Sequence, residues 1–312
     1  MYLSESQVRA ALTYGALIPA IRQGLIDYSA GLIDQPARTI LRAGNAEGFR
    51  NGWFAVMPVV AGDVMGVKTV TSYPGNAELG LHTHMAVIEL LRRSTGEPLA
   101  VMDGRVITEM RTAAVSAVAL DALGSPAVRS LGILGSGVQA GAHLEALRMV
   151  RPGLSDIRIW SRTGAHAERL AAEVGARAVS LEEAAWADVV LTVTSSPVPV
   201  LEGRWLGPHS LVLAVGAVGA GLRELDDEVM QSSLIVAESR SCAERESGDV
   251  RLSGTVVDAE IGEIISGRVA APKNRRIVFK SVGMAIEDLA GARIVWQAHS
   301  GQAPQREASS LA

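Results

Sequence analysis

The chain has 312 residues, enough for two modest domains and a substantial core. Hydrophobic residues make up 48%, with 32 glycines and 4% aromatics, an aliphatic profile typical of α/β proteins with parallel strands. The net charge of −4 offers no basic surface to nucleic acid or an anionic membrane, and the one cysteine, Cys242, excludes an intramolecular disulfide and a cysteine-based metal cluster. Met1 to Ala10 carries Glu5 and Arg9 and no apolar core, so it does not read as a signal peptide. No uninterrupted apolar run approaches ~18 residues, so no transmembrane helix is expected. These features predict a soluble cytoplasmic protein.

Tyr2 to Ser29 contains two helical patterns, one of them covering Gly15 to Leu25. From Arg38 to Leu79 the chain is strand-like with many turns, including Gly52 to Pro58 and Val64 to Val70. Met85 to Arg92 and Leu99 to Met102 flank the turn Gly96-Glu97-Pro98. Arg111 to Leu123 reads as a long alanine-rich helix connecting two domains. Within this first part Lys68 stands in an apolar strand. A desolvated lysine has a lowered pKa and serves as acid, base or imine partner, while a lysine snorkelling at a sheet edge gives the same pattern. Arg111 opens its helix in this reading, where a cation meets the unfavourable dipole end and is better tolerated if it holds an anion. Arg38, just after Pro36, has the same capacity, and an internal salt bridge is the alternative for both. His82, His84 and Trp53 either line a pocket here or serve as packing.

The run Leu131-Gly132-Ile133-Leu134-Gly135-Ser136-Gly137-Val138-Gln139-Ala140 then reads as buried strand, glycine turn and helix start. Gly135, Gly137 and Ala140 occupy the small positions of a dinucleotide fingerprint: one for a tight turn, one for close approach of a pyrophosphate, one for helix–strand packing. Val128 to Leu134, Ala140 to Met149 and Asp156 to Trp160 complete a βαβ unit. Its second strand leads into Ser161-Arg162-Thr163, two hydroxyls and a cation where a carboxylate would contact the adenosine ribose of NAD. That set suits the 2′-phosphate of NADP(H), with possible use of NAD(H); Arg162 as a solvated loop residue is the alternative. Glu168 to Val174 and Leu181 to Trp186 read as helices. Ala176 to Val179, Asp188 to Thr194, Leu211 to Val215, Leu234 to Ala237 and Ile277 to Lys280 read as strands. The alternation predicts a Rossmann-type doubly wound parallel sheet with an N-terminal α+β domain before it. Ligands lie at the carboxyl ends of such strands, near Thr194, Gly216 and Ser281. The expected domains are 1–114 with about 290–312, and 115–289. Ala285 to Gln297 reads as a helix returning to the first domain, and the tail beyond Ser300 as frayed.

Several segments, in order, carry a resemblance to the ornithine cyclodeaminase/μ-crystallin family across nearly the whole chain. They are Pro36-x-Arg38, Met57-Pro58, Gly66-Val67-Lys68, Pro74-x-Asn76, Gly96-x-Pro98-Leu99-Ala100-Val101-Met102-Asp103 and Thr108-x-x-Arg111-Thr112-Ala113-Ala114. The fingerprint, Asp188-Val189-Val190, Thr194, Val215-Gly216-Ala217, Arg223-Glu224-Leu225-Asp226 and Lys280-Ser281-x-Gly283-x-Ala285-x-x-Asp288 follow. The resemblance implies a substrate and dimerisation domain plus a Rossmann domain, in a homodimer. It implies Lys68 beside the substrate's α-carbon or imine nitrogen, as the catalytic residue, with Arg38 and Arg111 clamping the substrate carboxylate. Thr83 and Thr112 would contact the nicotinamide end or phosphates. Gly135, Gly137, Val138 and Gln139 would hold the pyrophosphate, and Ser161, Arg162 and Thr163 the 2′-phosphate. Thr194, Val215 and Ser281 would line the ribose and nicotinamide site.

One departure redirects the expected chemistry. The family's ornithine cyclodeaminases carry an aspartate after the Val-Gly-Ala turn, whereas this chain has Val218. Valine cannot handle the amine proton that cyclisation requires. The expectation is therefore a ketimine reductase using NADPH on Δ1-pyrroline-2-carboxylate or Δ1-piperideine-2-carboxylate, giving L-proline or L-pipecolate. An alanine-type amino-acid dehydrogenase, an ornithine or lysine cyclodeaminase, and a μ-crystallin-like ligand-binding protein are the alternatives.

Overall fold

Alternating and continuous apolar strands divide this chain into two different kinds of sheet. The computed structural model describes residues 1–44, 51–272 and 274–301. The chain separates into one unit of Met1–Arg111 with Met284–Ala312 and another of Thr112–Gly283. In order, the first part contains β1 (Tyr2–Leu3), α1 (Glu5–Ala11), α2 (Tyr14–Ser29), β2 (Thr39–Ala43), β3 (Gly52–Ala61), β4 (Val64–Ser72), β5 (His84–Arg92), β6 (Pro98–Asp103) and α3 (Arg105–Leu123). There follow β7 (Ser130–Leu134), α4 (Val138–Val150), β8 (Asp156–Trp160), α5 (Gly164–Val174), β9 (Arg177–Ala178), α6 (Leu181–Ala185), β10 (Val189–Thr192) and β11 (Leu211–Ala214). The last elements are α7 (Asp227–Ser232), β12 (Leu234–Ala237), α8 (Arg240–Glu246), α9 (Gly248–Ser253), β13 (Ala259–Glu260), α10 (Ile261–Ile265), β14 (Ile277–Lys280) and α11 (Ala285–Ser300). Positions 45–50, within the stretch expected to be strand-like, and 302–312, within the expected frayed tail, lie outside the described residues.

In the first unit the described strands run in the order β1-β6-β5-β4-β3-β2, antiparallel except for the β1–β6 pair. β4 alternates buried and half-buried residues along most of its length, which gives the sheet one covered face and one open face. Val64, Gly66, Lys68 and Val70 all fall on the covered face, because side chains repeat every second residue. Helices α2 and α11 supply apolar partners for this unit: Leu17, Ile21 and Leu25 of α2 and Leu289, Ala292 and Val295 of α11 are buried. Thr13 caps α2 by accepting a hydrogen bond from the Ala16 amide at 3.4 Å. A Cβ at Gly66 would stand 2.5 Å from the Glu89 carbonyl oxygen and 3.0 Å from Leu289 Cδ1. The absence of a side chain there lets α11 lie close to the sheet, and Leu289 adjoins Asp288.

In the second unit the order is β13-β12-β14-β11-β10-β7-β8-β9, and each of these pairs is parallel. Every residue of β10, β11 and β14 is buried. Continuous apolar strands of this kind belong in a parallel sheet covered on both faces. This is the Rossmann-type arrangement expected from the sequence. The order places β7, with its glycine turn, between β10 and β8. Short helices α7 to α10 and the strand β13 were not read from the sequence, because none is long enough to show a clear period.

Helix α3 begins at Arg105, so Arg111 lies in its second turn and the expected dipole argument for that residue does not apply. The junctions at Arg111/Thr112 and Gly283/Met284 differ from those expected at 114 and 289. The later difference has a packing cause: α11 starts at Ala285 and buries Ile286 and Leu289 in the first unit. Replacing Gly66 by alanine is expected to lower stability by ~1–3 kcal/mol through overpacking. The midpoint of denaturant unfolding measures it, and an unchanged midpoint would show that α11 can yield at this point.

Candidate active site

The covered face of β4 presents an ammonium group to helix α11. Lys68 Nζ lies 2.5 Å from Asp288 Oδ2, and both side chains are 2% exposed. The ammonium also donates a long hydrogen bond of 3.5 Å to Thr108 Oγ1. Lys68 pairs in register with Met57 on β3 and Ile88 on β5, so it is interior to the sheet and not a snorkelling edge residue. Arg111 donates from Nε to Asp288 Oδ1 at 3.1 Å and from Nη1 to Glu287 Oε2 at 2.6 Å. The internal salt bridge left open by the sequence is thus present at Arg111, through its Nε and Nη1.

Burial lowers the Lys68 pKa from 10.5 to about 8; Asp288 opposes the fall, and the positive charges of Arg111 and Arg38 add to it. Arg38 is half-buried and is felt electrostatically by both Lys68 and His84. The structure therefore gathers Arg38, Lys68 and Arg111 into one cationic cluster, balanced by Asp288 and Glu287. His84 belongs to the same cluster. Burial, then the neighbouring Lys68 and Arg111, push its pKa down to about 4, so the ring is neutral near pH 7. Its Nε2 is buried without a hydrogen-bond partner, and the ring meets Trp53 edge-on at 6.2 Å between centroids. A neutral imidazole with an uncommitted nitrogen can meet either a donor or an acceptor on a ligand.

Thr83 also belongs to the first unit; it is exposed, and its carbonyl accepts from the Tyr73 amide at 2.8 Å. The remaining predicted cofactor residues belong to the second unit. Thr112 is buried within α3. Gly135 to Gln139, Ser161 to Thr163, Thr194, Val215 and Ser281 follow the carboxyl ends of β7, β8, β10, β11 and β14 respectively. Gly135 has φ +127°, a conformation that favours glycine, and its amide donates to the Trp160 carbonyl at 2.8 Å. Ser136 Oγ donates to Ser161 Oγ at 2.9 Å, tying the first loop to the end of β8.

These residues fit a dinucleotide phosphate. A Cβ at Gly137 would meet nothing within 4 Å, and Gly137 caps α4 with no side-chain hydrogen bond. The start of this 13-residue helix is therefore open at Gly137, where an anion is favoured, while the Ala140 amide donates to the Gly137 carbonyl at 2.9 Å. Gln139 Oε1, beside them, is buried with no hydrogen-bond partner. Arg162 and Thr163 are exposed, and Thr163 makes no side-chain cap to α5. Ser281 differs from its expected role in one respect: it is buried, and its hydroxyl donates to Glu238 Oε1.

Sequence reasoning missed the acidic partners. Asp288 stands in the Lys280–Asp288 segment that carried part of the resemblance, yet no local pattern ties it to Lys68. Glu224, Glu238 and Asp249 are fully buried, as is Lys280. Their signal in the sequence is weak: single acids beside small or apolar residues, which read equally as solvated loop positions.

The parallel sheet, its glycine turn and the open helix terminus define a Rossmann-type dinucleotide-binding protein. The model of the ornithine cyclodeaminase/mu-crystallin family matches residues 1–303, and the chain belongs to that family. It is 40% identical over 309 residues to ketimine reductase mu-crystallin of Mus musculus, covering 96% of this chain and 97% of that protein. Its structure resembles an archaeal alanine dehydrogenase dimer with bound NAD, at TM-score 0.91 and 29% identity over 96% of each chain. It also resembles Δ1-pyrroline-2-carboxylate reductase of Thermococcus litoralis in complex with NADH and L-proline, at TM-score 0.89 and 31% identity, covering 96% of this chain and 98% of the other. Among the described residues no helix is long and apolar enough to cross a membrane, and no group of three or more His, Cys, Asp or Glu could hold a metal ion.

The Lys68–Asp288 pair has a measurable consequence. Asp288 opposes the fall of the Lys68 pKa, so Asp288→Asn is expected to move it further below about 8. Nitrogen NMR of the Lys68 ammonium against pH would read this, and an unmoved or raised midpoint would show that the aspartate does not set the proton affinity.

Proposed function

We propose that the protein is an NADPH-dependent ketimine reductase that converts Δ1-pyrroline-2-carboxylate and Δ1-piperideine-2-carboxylate to L-proline and L-pipecolate. The observation that carries the reading is a buried lysine with a pKa near 8, paired with Asp288 and set among arginines. A cyclic imino acid presents the complementary groups: a carboxylate for the cations and an imine nitrogen that needs one proton. Relatives that include ketimine reductase mu-crystallin and a pyrroline-2-carboxylate reductase support the same substrate class.

Lys68 is the proton donor. Its ammonium gives a proton to the imine nitrogen, and Asp288 holds the side chain and stabilises its charged form. Arg38 and Arg111, the two guanidinium groups beside Lys68, draw the substrate carboxylate. His84, neutral and with a free Nε2, is placed to hydrogen-bond the substrate without adding a fourth cation. When bound, a nicotinamide dinucleotide would supply the hydride for the imine carbon. Gly135, Gly137, Val138 and Gln139 would hold its pyrophosphate, and Ser161, Arg162 and Thr163 would favour the 2′-phosphate of NADPH. Val218 follows the Val215-Gly216-Ala217 turn and carries no titratable group, which favours net reduction over deaminating cyclisation.

The open face of the first unit's sheet carries Leu41, Met85, Val87 and Val101, all at least 37% exposed. Apolar side chains grouped on one sheet face favour a covered interface. We infer a homodimer through this face, in keeping with the dimeric alanine dehydrogenase. Val87→Glu is expected to shift the protein from dimer to monomer in light scattering; a protein that is monomeric before substitution, or dimeric after it, overturns the assignment.

Reduction requires Lys68 to be protonated at the outset. Its rate is therefore expected to fall as pH rises through about 8, while oxidation of L-proline, which needs the neutral amine, rises over the same range. Absorbance of NADPH with Δ1-pyrroline-2-carboxylate tests the activity. Rapid oxidation lost in Lys68→Ala supports the reading. Arg162→Ala is expected to weaken NADPH use about ten-fold while sparing NADH, through loss of a charge-assisted hydrogen bond. Faster turnover with pyruvate and ammonia would replace this reading by the alanine dehydrogenase reaction. Ammonia release from ornithine would replace it by cyclodeamination.

A further inference from the structure

The second unit contains a fully buried carboxylate with no part in the proton chemistry above. Glu224 is 0% exposed. Its Oε2 accepts hydrogen bonds from Thr192 Oγ1 at 2.8 Å, the Gly216 amide at 2.8 Å and the Ala217 amide at 3.1 Å. Its Oε1 accepts from the Thr194 amide at 2.6 Å. The donors come from two neighbouring strand ends: Thr192 and Thr194 at the end of β10, and Gly216 and Ala217 just after β11. Its own amide and that of Leu225 donate to Asp249 Oδ1 at 2.8 and 3.0 Å. Asp249 Oδ2 in turn receives Lys280 Nζ, from the last residue of β14, at 3.0 Å. At Gly216 a Cβ would stand 2.5 Å from Glu224 Oε1 and 2.1 Å from the Thr194 carbonyl oxygen, so the carboxylate and the neighbouring loop fill the place of a side chain.

We propose that Glu224 is a positioning residue that sets the loops carrying Thr194 and Val215 into the conformation that receives the nicotinamide end of the dinucleotide. The proposal rests on the dinucleotide reading given above. A buried carboxylate costs several kcal/mol in lost hydration, so it is poor filler for a core. Here it meets the amides of Thr194 and Ala217, which the sheet ladder does not pair, and that of Gly216, which it shares with the Thr192 carbonyl at 3.2 Å. Its function follows from which amides these are. They flank the two segments that the fold places at the ligand-binding ends of β10 and β11. An amide side chain of the same shape cannot replace it, because its NH2 group would confront N–H donors.

The test is titration of the apoprotein with NADPH, read by fluorescence, for wild type and Glu224→Gln. The expected result is a Kd raised about ten-fold or more, as for displacement of a binding group by a fraction of an ångström. The KM for NADPH should rise in parallel, with kcat at saturating cofactor much less affected. Val229→Ala, a core truncation in α7, is the control for general loss of stability: it should lower Tm and leave the Kd unchanged. If Glu224→Gln does not fold, Thr192→Val removes one of the four donors and should raise the Kd by a smaller factor. An unchanged Kd in whichever of the two variants folds overturns this proposal alone. Failure of the wild type to bind either dinucleotide overturns the functional reading and this proposal with it.

Discussion

Lys68 stands on the covered face of an antiparallel sheet, where an ammonium group without a partner loses several kcal/mol of hydration. Asp288 supplies the missing anion at 2.5 Å, and much of the first unit's architecture serves that contact. The alternation of β4 turns Lys68 toward α11. The bare backbone at Gly66 lets α11 come close. Arg111 then binds the second oxygen of the same aspartate and also Glu287, its neighbour in the same turn of the helix. The two cations compete for one carboxylate, so Asp288 cannot fully offset the burial of Lys68. That incomplete compensation leaves the lysine near pH 8, within reach of both protonation states.

The second unit treats buried charge differently. Glu224, Glu238 and Asp249 mostly meet backbone amides and hydroxyls at the ends of strands. Glu238 accepts from the amides of Val282 and Gly283 at 3.0 and 2.9 Å, and Asp249 from those of Glu224 and Leu225. A parallel sheet satisfies amides within its ladder and leaves those just past each strand without partners. Buried carboxylates suit these positions because each oxygen accepts more than one bond. The result is a set of loops fixed from beneath, while Gly137, Val138 and the first turn of α4 remain open to a ligand.

The two units therefore contribute different physical resources. One holds a titratable group whose proton affinity is set by burial and a shared aspartate. The other holds backbone dipoles and small residues whose open helix start suits an anion. Retention of both in one chain argues for a catalyst: a binding protein has no need of a lysine kept near its midpoint. Val218 fits the same account, since it removes a titratable group from the loop after β11 without disturbing the amides that Glu224 holds.

Much of this was legible in the order of residues. The glycine turn, the hydroxyl and cation set at Ser161 to Thr163, the continuous apolar strands and the apolar setting of Lys68 are local patterns, and local patterns survive in a one-dimensional chain. That Lys68 is interior and not at a sheet edge was not legible, because the pattern is the same for both. The partners of the charges were not legible. Asp288 lies 220 positions from Lys68, and the Glu224 carboxylate meets Thr192 and Thr194 from a different strand end as well as the nearer Gly216 and Ala217. The position of Arg111 within α3 was also misjudged, because Gly104 gave no strong signal that the helix begins at Arg105. The sequence by itself determined the elements, their periods and the family to which they belong. Only the tertiary structure decided which carboxylate meets which cation, because a long-range contact depends on how separate elements pack, and no spacing along the chain encodes that distance.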